Sequence, residues 1–401
     1  MLLLCSYYYT QHCAPKLNFA LAVLKTELKY VALMKTNTLK MKKYFVLLIL
    51  SFLSLQQLFA QKLQPGFDKE EYREMLLISA RHGDSTYFKR FPEPSRFQYV
   101  YESADVGLEN KWHLWTSKDG IAVLSLRGTT KNMISWVANF YAAMLPAKGE
   151  LTLSNGNKFK YQLAEDPRAA VHAGWLVSMA YLAEDILPRI DSCYKAGIKD
   201  IIIMGHSQGG AIAFLMNSYL HNLQSTGRLA ADITFKTYCS AGPKPGNLYY
   251  AYEYETMTQS GWAYNVINSA DWVPQTPMSV QKVEDYNTLN PFSKAPEYLG
   301  KLKFPQNIVM KHVYRRLSKP SQKAQKRYEK YMGKMVGKQV AAHLKGYEHP
   351  DFVHTADYVR AGNNIVLLAK GDYFKKYPNS GDNVFVHHLF DPYLFLLDRL
   401  P

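Results

Sequence analysis

The chain has 401 residues, 47% of them hydrophobic, which is enough to bury a sizeable core and excludes an intrinsically disordered protein. Its 48 basic residues exceed its 33 acidic residues and give a formal net charge of +15, a balance found in proteins that bind nucleic acid or anionic membranes. No recognised nucleic-acid-binding module accompanies this charge, so we predict no nucleic-acid partner.

Residues 41–60 (MKKYFVLLILSFLSLQQLFA) have the layout of a secretory signal peptide: two lysines, an apolar run, and a small residue before Gln61. The apolar run is shorter than the roughly 20 residues that cross a bilayer, so the sequence favours export to a periplasmic or extracellular location over a membrane anchor. We expect translation to start at Met41. Residues 1–40 are then an over-extended N-terminus outside the fold, the alternative being a second membrane-inserting region.

Removal of residues 1–60 takes away seven lysines and one glutamate, which leaves 41 basic and 32 acidic residues. It also removes two of the four cysteines, so that only Cys193 and Cys239 remain. A disulfide framework is therefore not expected, although an exported protein could form a single bond. Because the residue after the predicted cleavage site is Gln61, there is no cysteine at which a lipid anchor could be attached.

The mature chain, residues 61–401, is predicted to form one α/β domain. Helical periodicity covers residues 68–82, 172–190 and 207–223, while short apolar strands are predicted at residues 201–204, 235–240 and 264–268. Two hairpins are indicated by the Asp-Gly pair at 119–120 and the Asn-Gly pair at 155–156. Strands that alternate with helices predict three layers around a mostly parallel central sheet.

Residues 301–345 carry most of the excess charge, because 13 lysines and arginines face a single acidic residue, Glu329. The simpler interpretation is a solvated helical face. The alternative is a patch that attracts the protein to anionic lipid head groups, which would be a peripheral membrane contact.

Ser207 is the strongest candidate for a catalytic residue. It is the serine of a G-x-S-x-G sequence, Gly205-His206-Ser207-Gln208-Gly209, between an apolar strand and a helix. This context predicts a nucleophile elbow, in which the flanking glycines let the strand and the helix approach closely.

A serine hydroxyl needs a histidine to accept its proton and a carboxylate to orient that histidine. In this type of fold the acid and then the histidine follow the serine along the chain. The best acid is Asp271, where a strand ends in a polar loop. The candidate histidines beyond it are His312, His343, His349, His354, His387 and His388.

The pair His387 and His388 is favoured among these, because it follows the apolar run 383–386 and precedes a C-terminal helical pattern. His349, Asp351, His354 and Asp357 could be interpreted as a metal cluster, but their spacing matches no strong ligand motif. We therefore predict neither a metal nor a cofactor.

Five segments in order resemble the class 3, fungal-type lipase family of α/β hydrolases. They are LSLRGTTKNMISWVANF from Leu124, VHAGW from Val171, IIIMGHSQGGAIAFL from Ile201, AGPKPGN from Ala241 and NSADWVPQTP from Asn268. The resemblance implies an α/β-hydrolase fold and a serine hydrolase acting on carboxylic esters.

The resemblance also implies roles for individual residues. Ser207 matches the family's nucleophile, Asp271 its acid, and His388 its base, with His387 as the alternative. The Arg127-Gly128-Thr129 turn matches the oxyanion segment, so that Thr129 and the Gln208 amide would bind the oxyanion.

Two features depart from the family pattern. Asp271 and His388 are 117 residues apart, which implies a helical, basic insertion at about residues 280–380 before the histidine. The lid that the resemblance implies would be residues 139–148 (NFYAAMLPAK), a short and apolar segment.

Taken together, the motifs predict an exported lipase that forms an acyl-enzyme on Ser207 with a lipid ester substrate. A phospholipase A1 and a short-chain esterase remain open, since they differ only in pocket and lid. A non-catalytic lipid- or surface-binding protein that kept the fold is the alternative from another class.

Overall fold

The computed structural model describes residue 25, residues 62–380 and residues 382–401. The predicted signal peptide at 41–60 and the predicted over-extension at 1–40 therefore lie outside the described residues, apart from Lys25. All the elements below belong to the unit Lys62–Pro401.

The strands follow one another along the chain as β1 (Phe97–Glu102), β2 (Trp112–Ser117), β3 (Ile121–Leu126), β4 (Met144–Pro146), β5 (Lys148–Thr152), β6 (Lys158–Gln162), β7 (Ala170–His172), β8 (Asp200–His206), β9 (Thr234–Ser240), β10 (Gly246–Asn247), β11 (Ala263–Asn268), β12 (Tyr358–Val359) and β13 (Asn363–Leu367).

The helices are α1 (Lys69–Ala80), α2 (Ser85–Phe88), α3 (Met133–Phe140), α4 (Ala173–Lys195), α5 (Gln208–Ser225), α6 (Leu248–Met257), α7 (Ala295–Gly300), α8 (Gln306–Tyr328), α9 (Val336–His343), α10 (Asp372–Lys376) and α11 (Phe390–Leu397). A π-helical segment, Glu329–Met335, joins α8 to α9, and short 3-10 turns occur at Val273–Gln275 and Val283–Asp285.

The central sheet has the order β1-β2-β3-β8-β9-β11-β13 among the described strands. Strands β1, β2 and β3 pair antiparallel, and each pairing from β3 to β13 is parallel. The predicted mostly parallel sheet is confirmed, and both predicted hairpins occur, as β2–β3 and β5–β6.

Strand β8 shows why the sheet is covered on both faces. Ile201 and Ile203 enter the larger hydrophobic cluster, which includes residues of α4, α5 and α6, whereas Ile202 and Met204 enter the cluster that includes residues of α1 and α11. Because successive side chains of a strand point to opposite faces, a continuous apolar run is what a central strand requires. The result is the three-layer arrangement predicted from the sequence.

Short capping interactions fix where the principal helices begin. The Asp68 side chain accepts hydrogen bonds from the first turn of α1, and the His172 ring accepts one from the Trp175 amide at the start of α4. Each cap satisfies backbone donors that a helix leaves unpaired at its N-terminus.

The region between β11 and α11 holds both inserted and core elements. Helices α7, α8 and α9 precede β12 and β13, and β13 is the edge strand of the central sheet beside β11. The run 383–386 before His387 and His388 contains no strand: residues 384–386 form turns, and β13 is the last strand of the described chain. No helix in the described part of the chain is both long and apolar enough to cross a membrane.

Candidate active site

Ser207 lies at a sharp turn between β8 and α5, with φ of 64° and ψ of −130°. A positive φ is uncommon for a residue with a side chain, and it is the strained conformation expected of a nucleophile elbow. The neighbouring glycines are required: a Cβ on Gly205 would overlap the backbone of Gly209, and a Cβ on Gly209 would overlap the Leu126 carbonyl. The G-x-S-x-G spacing therefore produces the turn that presents Ser207.

Asp271 and His388 form a buried pair. Asp271 follows β11 and is 2% exposed, and His388 lies two residues before α11. The His388 Nδ1 atom is 2.7 Å from Asp271 Oδ2. Because Nδ1 is engaged by the carboxylate, Nε2 is the ring nitrogen left to exchange a proton with a substrate or a nucleophile.

Two further donors hold the Asp271 carboxylate. The Val273 amide donates to Oδ1 at 2.9 Å, and the Tyr393 hydroxyl donates to Oδ2 at 2.8 Å. Burial by itself would raise the pKa of the Asp271 carboxyl, but His388 and these two donors outweigh it, so the pKa lies below its usual value. The carboxylate therefore stays ionised beside the histidine.

A cavity of about 1100 Å³ brings the predicted residues together. Ser207, Gln208, Thr129 and His388 all line it. Aromatic and aliphatic side chains form much of the remaining wall: Tyr87, Trp136, Phe140, Trp175, Trp272, Met278, Tyr328, Met332, Phe385 and Phe390. The cavity combines reactive polar groups with an apolar wall.

Thr129 and Gln208 are linked through Asn139. The Trp175 Nε1 atom, which can only donate, lies 3.1 Å from Asn139 Oδ1, and the Gln208 Nε2 atom donates to the same oxygen at 3.0 Å. These donors fix the orientation of the Asn139 amide, so that its Nδ2 donates to Thr129 Oγ1 at 2.9 Å. The Thr129 hydroxyl accepts this bond, and its own proton remains available to a group in the cavity.

Gln208 also offers a backbone donor at this point. It is the first residue of α5, and the first amides of a helix have no partner within the helix. An oxygen near the Ser207 side chain can therefore meet this amide at the positive end of the helix dipole.

A directed chain of hydrogen bonds supports the loop that carries His388. The His206 Nε2 atom donates to the His388 carbonyl at 2.8 Å, so its Nδ1 accepts from the Ser240 hydroxyl at 3.0 Å. Tyr72 in α1 then donates to Ser240 Oγ at 2.6 Å. Burial, together with the nearby His388, lowers the pKa of His206 to about 3, so the His206 ring is neutral.

His387 points elsewhere. Its Nδ1 is 2.8 Å from the Tyr373 hydroxyl and its Nε2 is 2.7 Å from Asn379 Oδ1. Of the six candidate histidines, all within the described part of the chain, His388 alone lines the cavity. His354 pairs with Glu329, on the basic segment.

The residues considered as a metal cluster do not form one in the structure. Asp357 accepts hydrogen bonds from Ser279 and Gln281, and His349 lies among aromatic rings. Across residues 62–380 and 382–401, no three His, Cys, Asp or Glu side chains are placed to hold a metal ion. Cys193 and Cys239 are both buried free thiols.

The lid expected at residues 139–148 is wrong. Within that segment Tyr141, Ala142, Ala143, Met144 and Leu145 are at most 3% exposed, and β4 pairs with β7. A segment packed into the core cannot open and close over a cavity without breaking that packing. The apolar residues of this segment, which the resemblance implies as a lid, are part of the core.

Four supporting residues were not predicted from the sequence: Asn139, Tyr72, Ser240 and Tyr393. Each is far along the chain from its hydrogen-bond partner: Asn139 is 69 residues from Gln208, Tyr393 is 122 from Asp271, and Tyr72 is 168 from Ser240, which is itself 34 from His206. Of the four, only Tyr393 could have been suspected from the sequence, because it lies five residues after His388, in the C-terminal helix.

The sheet order and the strand–serine–helix turn define an α/β hydrolase, and the cavity that contains Ser207 is also lined by the histidine of the Asp271–His388 pair. Residues 123–281 match the model of the class 3 lipase family, so the predicted resemblance is confirmed over that segment. The chain is a serine hydrolase that acts on carboxylic esters.

Solved structures that resemble this chain include three fungal lipases. Lipase II from Rhizopus niveus is 21% identical over 52% of this chain and 74% of its own, with a TM-score of 0.36. The Lip2 lipase from Yarrowia lipolytica is 20% identical over 54% and 79%, with a TM-score of 0.38. The Rhizomucor miehei triacylglyceride lipase is 17% identical over 53% and 77%, with a TM-score of 0.38.

The fold is defined by the sheet order and the strand–serine–helix turn described above. None of the curated proteins searched matches the sequence.

Proposed function

We propose that the protein is an exported lipase that hydrolyses acylglycerols or related lipid esters through an acyl-enzyme on Ser207. The observation that carries this proposal is that Ser207 and His388 line one largely apolar cavity of about 1100 Å³, and that His388 is paired with the buried Asp271. A reactive serine supplies the chemistry, and the apolar wall supplies a place for an acyl chain.

In the proposed reaction, His388 Nε2 takes the Ser207 proton as Oγ forms a bond to the ester carbonyl carbon. The tetrahedral intermediate collapses, the bond to the alcohol oxygen breaks, and His388 returns the proton to that oxygen. Water then attacks the acyl-enzyme with the same proton transfers and releases the acid. Asp271 holds the imidazole in the required tautomer and stabilises its positive charge.

The oxyanion of each intermediate would be held by Thr129 and Gln208. Their two backbone amides can donate to the oxyanion. The Thr129 hydroxyl is a third donor, because its oxygen accepts a hydrogen bond from Asn139 Nδ2 and its proton is left free. Such donors contribute most when they are fixed before the reaction begins. Asn139 donates to Thr129 Oγ1 and accepts from Gln208 Nε2, and these two bonds support that role.

A lipid substrate is favoured by the size and the lining of the cavity. Ordinary small-molecule pockets reach about 1000 Å³ at the upper end, and this cavity is at least that large, with a wall rich in aromatic side chains. Met278 is 72% exposed, Phe140 47% and Trp272 40%, so apolar side chains continue to its rim. The surroundings of the cavity suit a lipid surface as well as a lipid chain.

The substrate class can be tested with p-nitrophenyl esters of increasing acyl length. A lipase should prefer long chains, because each buried methylene contributes about 0.8 kcal/mol to binding. A preference for acetate or butyrate would instead identify a short-chain esterase. Release of fatty acid from the first position of a phospholipid, without hydrolysis of triacylglycerol, would identify a phospholipase A1.

The catalytic proposal is tested by Ser207→Ala with a fluorophosphonate probe. We expect covalent labelling of the parent, no labelling of the variant, and loss of ester hydrolysis by several orders of magnitude with an unchanged unfolding temperature. Ser192→Ala, at an exposed position of α4, is the control and should behave as the parent. A folded parent that is neither labelled nor active would be a non-catalytic lipid-binding protein.

Export is proposed from residues 41–60. Intact mass of the protein recovered from the exported fraction should correspond to a chain that begins near Gln61. Secretion should be equal whether the expressed gene begins at Met1 or at Met41. A mature protein that retained residues 1–40 would overturn the proposed start site.

A further inference from the structure

The side of helix α8 that packs against the rest of the protein is mostly polar. The positions shielded from solvent recur every three or four residues and are Asn307, Lys311, Tyr314, Ser318, Ser321, Gln325 and Tyr328, with Ala324 next to Gln325. Such spacing places them along one side of a helix. Gln325 is the single fully buried residue in the 23 residues of this helix.

An apolar stripe on α8 faces solvent instead of the core. Val309 is 56% exposed, Met310 44%, Val313 42% and Leu317 75%, and their spacing puts them on a common side. Phe304, just before the helix, is 79% exposed. Soluble proteins rarely expose contiguous apolar surface of this kind unless it meets a partner.

Positive charge surrounds the stripe. Helix α8 contains seven lysines and arginines and no acidic residue: Lys311, Arg315, Arg316, Lys319, Lys323, Lys326 and Arg327. In the described part of the chain, none of the seven forms an ion pair. A helix with an exposed apolar stripe and a strongly basic polar face has the pattern that lies in the interface of an anionic membrane.

The C-terminal end of α8 reaches the catalytic cavity. Tyr328, its last residue, and Met332, in the π-helical segment after it, both line the cavity that contains Ser207. A lipid surface held by α8 would therefore lie beside the site at which a lipid ester is hydrolysed.

We propose that α8 docks this protein on anionic lipid bilayers, with Val309, Val313 and Leu317 entering the interface and the basic side chains contacting head-group phosphates. Docking would bring the proposed lipase to its lipid substrate. This link to the substrate rests on the proposed function, whereas membrane binding by α8 does not. A second copy fits the surface less well, because a symmetric contact would bring two sets of seven cations together. Nucleic acid would leave the apolar stripe unused.

Binding is tested by sedimentation of the full chain with vesicles of phosphatidylcholine alone or with added phosphatidylglycerol. We expect binding at least about tenfold tighter to the anionic vesicles, since basic side chains near a charged surface attract it. Molar salt should remove most of that preference, because it shortens the screening length to about 3 Å.

Two pairs of variants separate the apolar and the charged contributions. Val309→Ser/Leu317→Ser is matched by Val100→Ser/Leu368→Ser, which replaces a valine and a leucine of 53% and 58% exposure elsewhere. Lys319→Glu/Lys323→Glu is matched by Lys118→Glu/Lys160→Glu, which changes the net charge equally at exposed positions outside α8. Both α8 variants should weaken binding about tenfold or more, and both controls should bind as the parent.

The docking proposal would be overturned by equal binding to both vesicle types, or by α8 variants that bind vesicles as the parent does. It would also be overturned if the parent sediments as a dimer without vesicles and Val309→Ser/Leu317→Ser dissociates that dimer. As a second measurement, Leu317→Trp should gain a blue-shifted emission with anionic vesicles while retaining the parent's unfolding temperature, and an unshifted emission would contradict insertion. Ser207→Ala should bind vesicles as tightly as the parent does. Vesicle binding therefore tests the docking proposal separately from the catalytic role of Ser207.

Discussion

The replacement Thr129→Val removes one hydroxyl from the site and little else. Valine has nearly the same shape as threonine, and the backbone amide of residue 129 remains. The structure leaves the Thr129 proton free for the oxyanion, because Asn139 Nδ2 donates to Thr129 Oγ1 at 2.9 Å. The variant therefore tests whether this hydroxyl is an oxyanion donor.

The size of the effect follows from what one such donor contributes. Loss of a single oxyanion donor costs about 10²–10³ in kcat, equivalent to about 2.7–4 kcal/mol of transition-state stabilisation. The free energy of unfolding should change much less. Asn139 Nδ2 would lose its acceptor, but because Asn139 is partly exposed the cost should lie near about 1 kcal/mol, the low end for an unsatisfied group.

The measurement is kcat and KM for a soluble p-nitrophenyl ester. We expect Thr129→Val to lower kcat with little change in KM, since the bond is made in the transition state, and Thr129→Ser to retain most of the activity. Thr130→Val is the matched control, because the neighbouring hydroxyl donates to Glu109 and not toward the oxyanion site. Thr129→Val with activity within threefold of the parent would refute the assigned role of the hydroxyl.

Three further predictions follow from the same geometry. His388→Ala should lower kcat by at least about 10³, whereas His387→Ala should have a mild effect because both its ring nitrogens face other partners; the reverse result would make His387 the base. Tyr393→Phe removes a bond that lowers the pKa of Asp271, so the acid limb of the kcat/KM profile should move to higher pH, and an unmoved limb would show that the bond is not felt in catalysis. Burial lowers the pKa of His172 to about 3, so the unfolded chain binds a proton below about pH 6.5 that the native protein does not, and stability falls as pH drops from 6.5 toward 3. His172→Asn keeps a capping side chain and should reduce that slope by about 1.4 kcal/mol per pH unit in urea unfolding; an unchanged slope would contradict a neutral native His172.

The parts of the fold that were predictable depend on local signals. The apolar run of β8, the Asp-Gly pair before β3 and the periodicity of α5 each act over a few residues, and each element appears in the structure. The lid at residues 139–148 failed because an apolar segment has the same composition whether it covers a cavity or enters the core. Here the pairing of β4 with β7, which is not visible in the segment itself, decides for the core.

In the inserted segment, too, the sequence did not show which side of a helix is packed. Its charge was evident in the sequence, and a solvated helical face was the simpler interpretation. The apolar stripe of α8 could not be assigned to a surface until the packed side of the helix was known. Helical periodicity usually places the apolar side against the core. In α8 the shielded side carries mostly polar residues, and Leu317 is 75% exposed.

Two buried groups hold His388 in place: Asp271, which is ionised, and His206, which is neutral. Burial lowers the pKa of His206 to about 3, so at neutral pH the ring is neutral and its Nε2–H donates to the His388 carbonyl. While the His206 ring is neutral, the donor direction of the chain from Tyr72 through Ser240 stays the same. Protonation of His206 would put a second positive charge beside the imidazolium that His388 would form in the proposed reaction, and its low pKa avoids that repulsion. A histidine within the G-x-S-x-G turn thus serves to hold the catalytic loop, while its neutrality leaves the charge of the site to the Asp271–His388 pair.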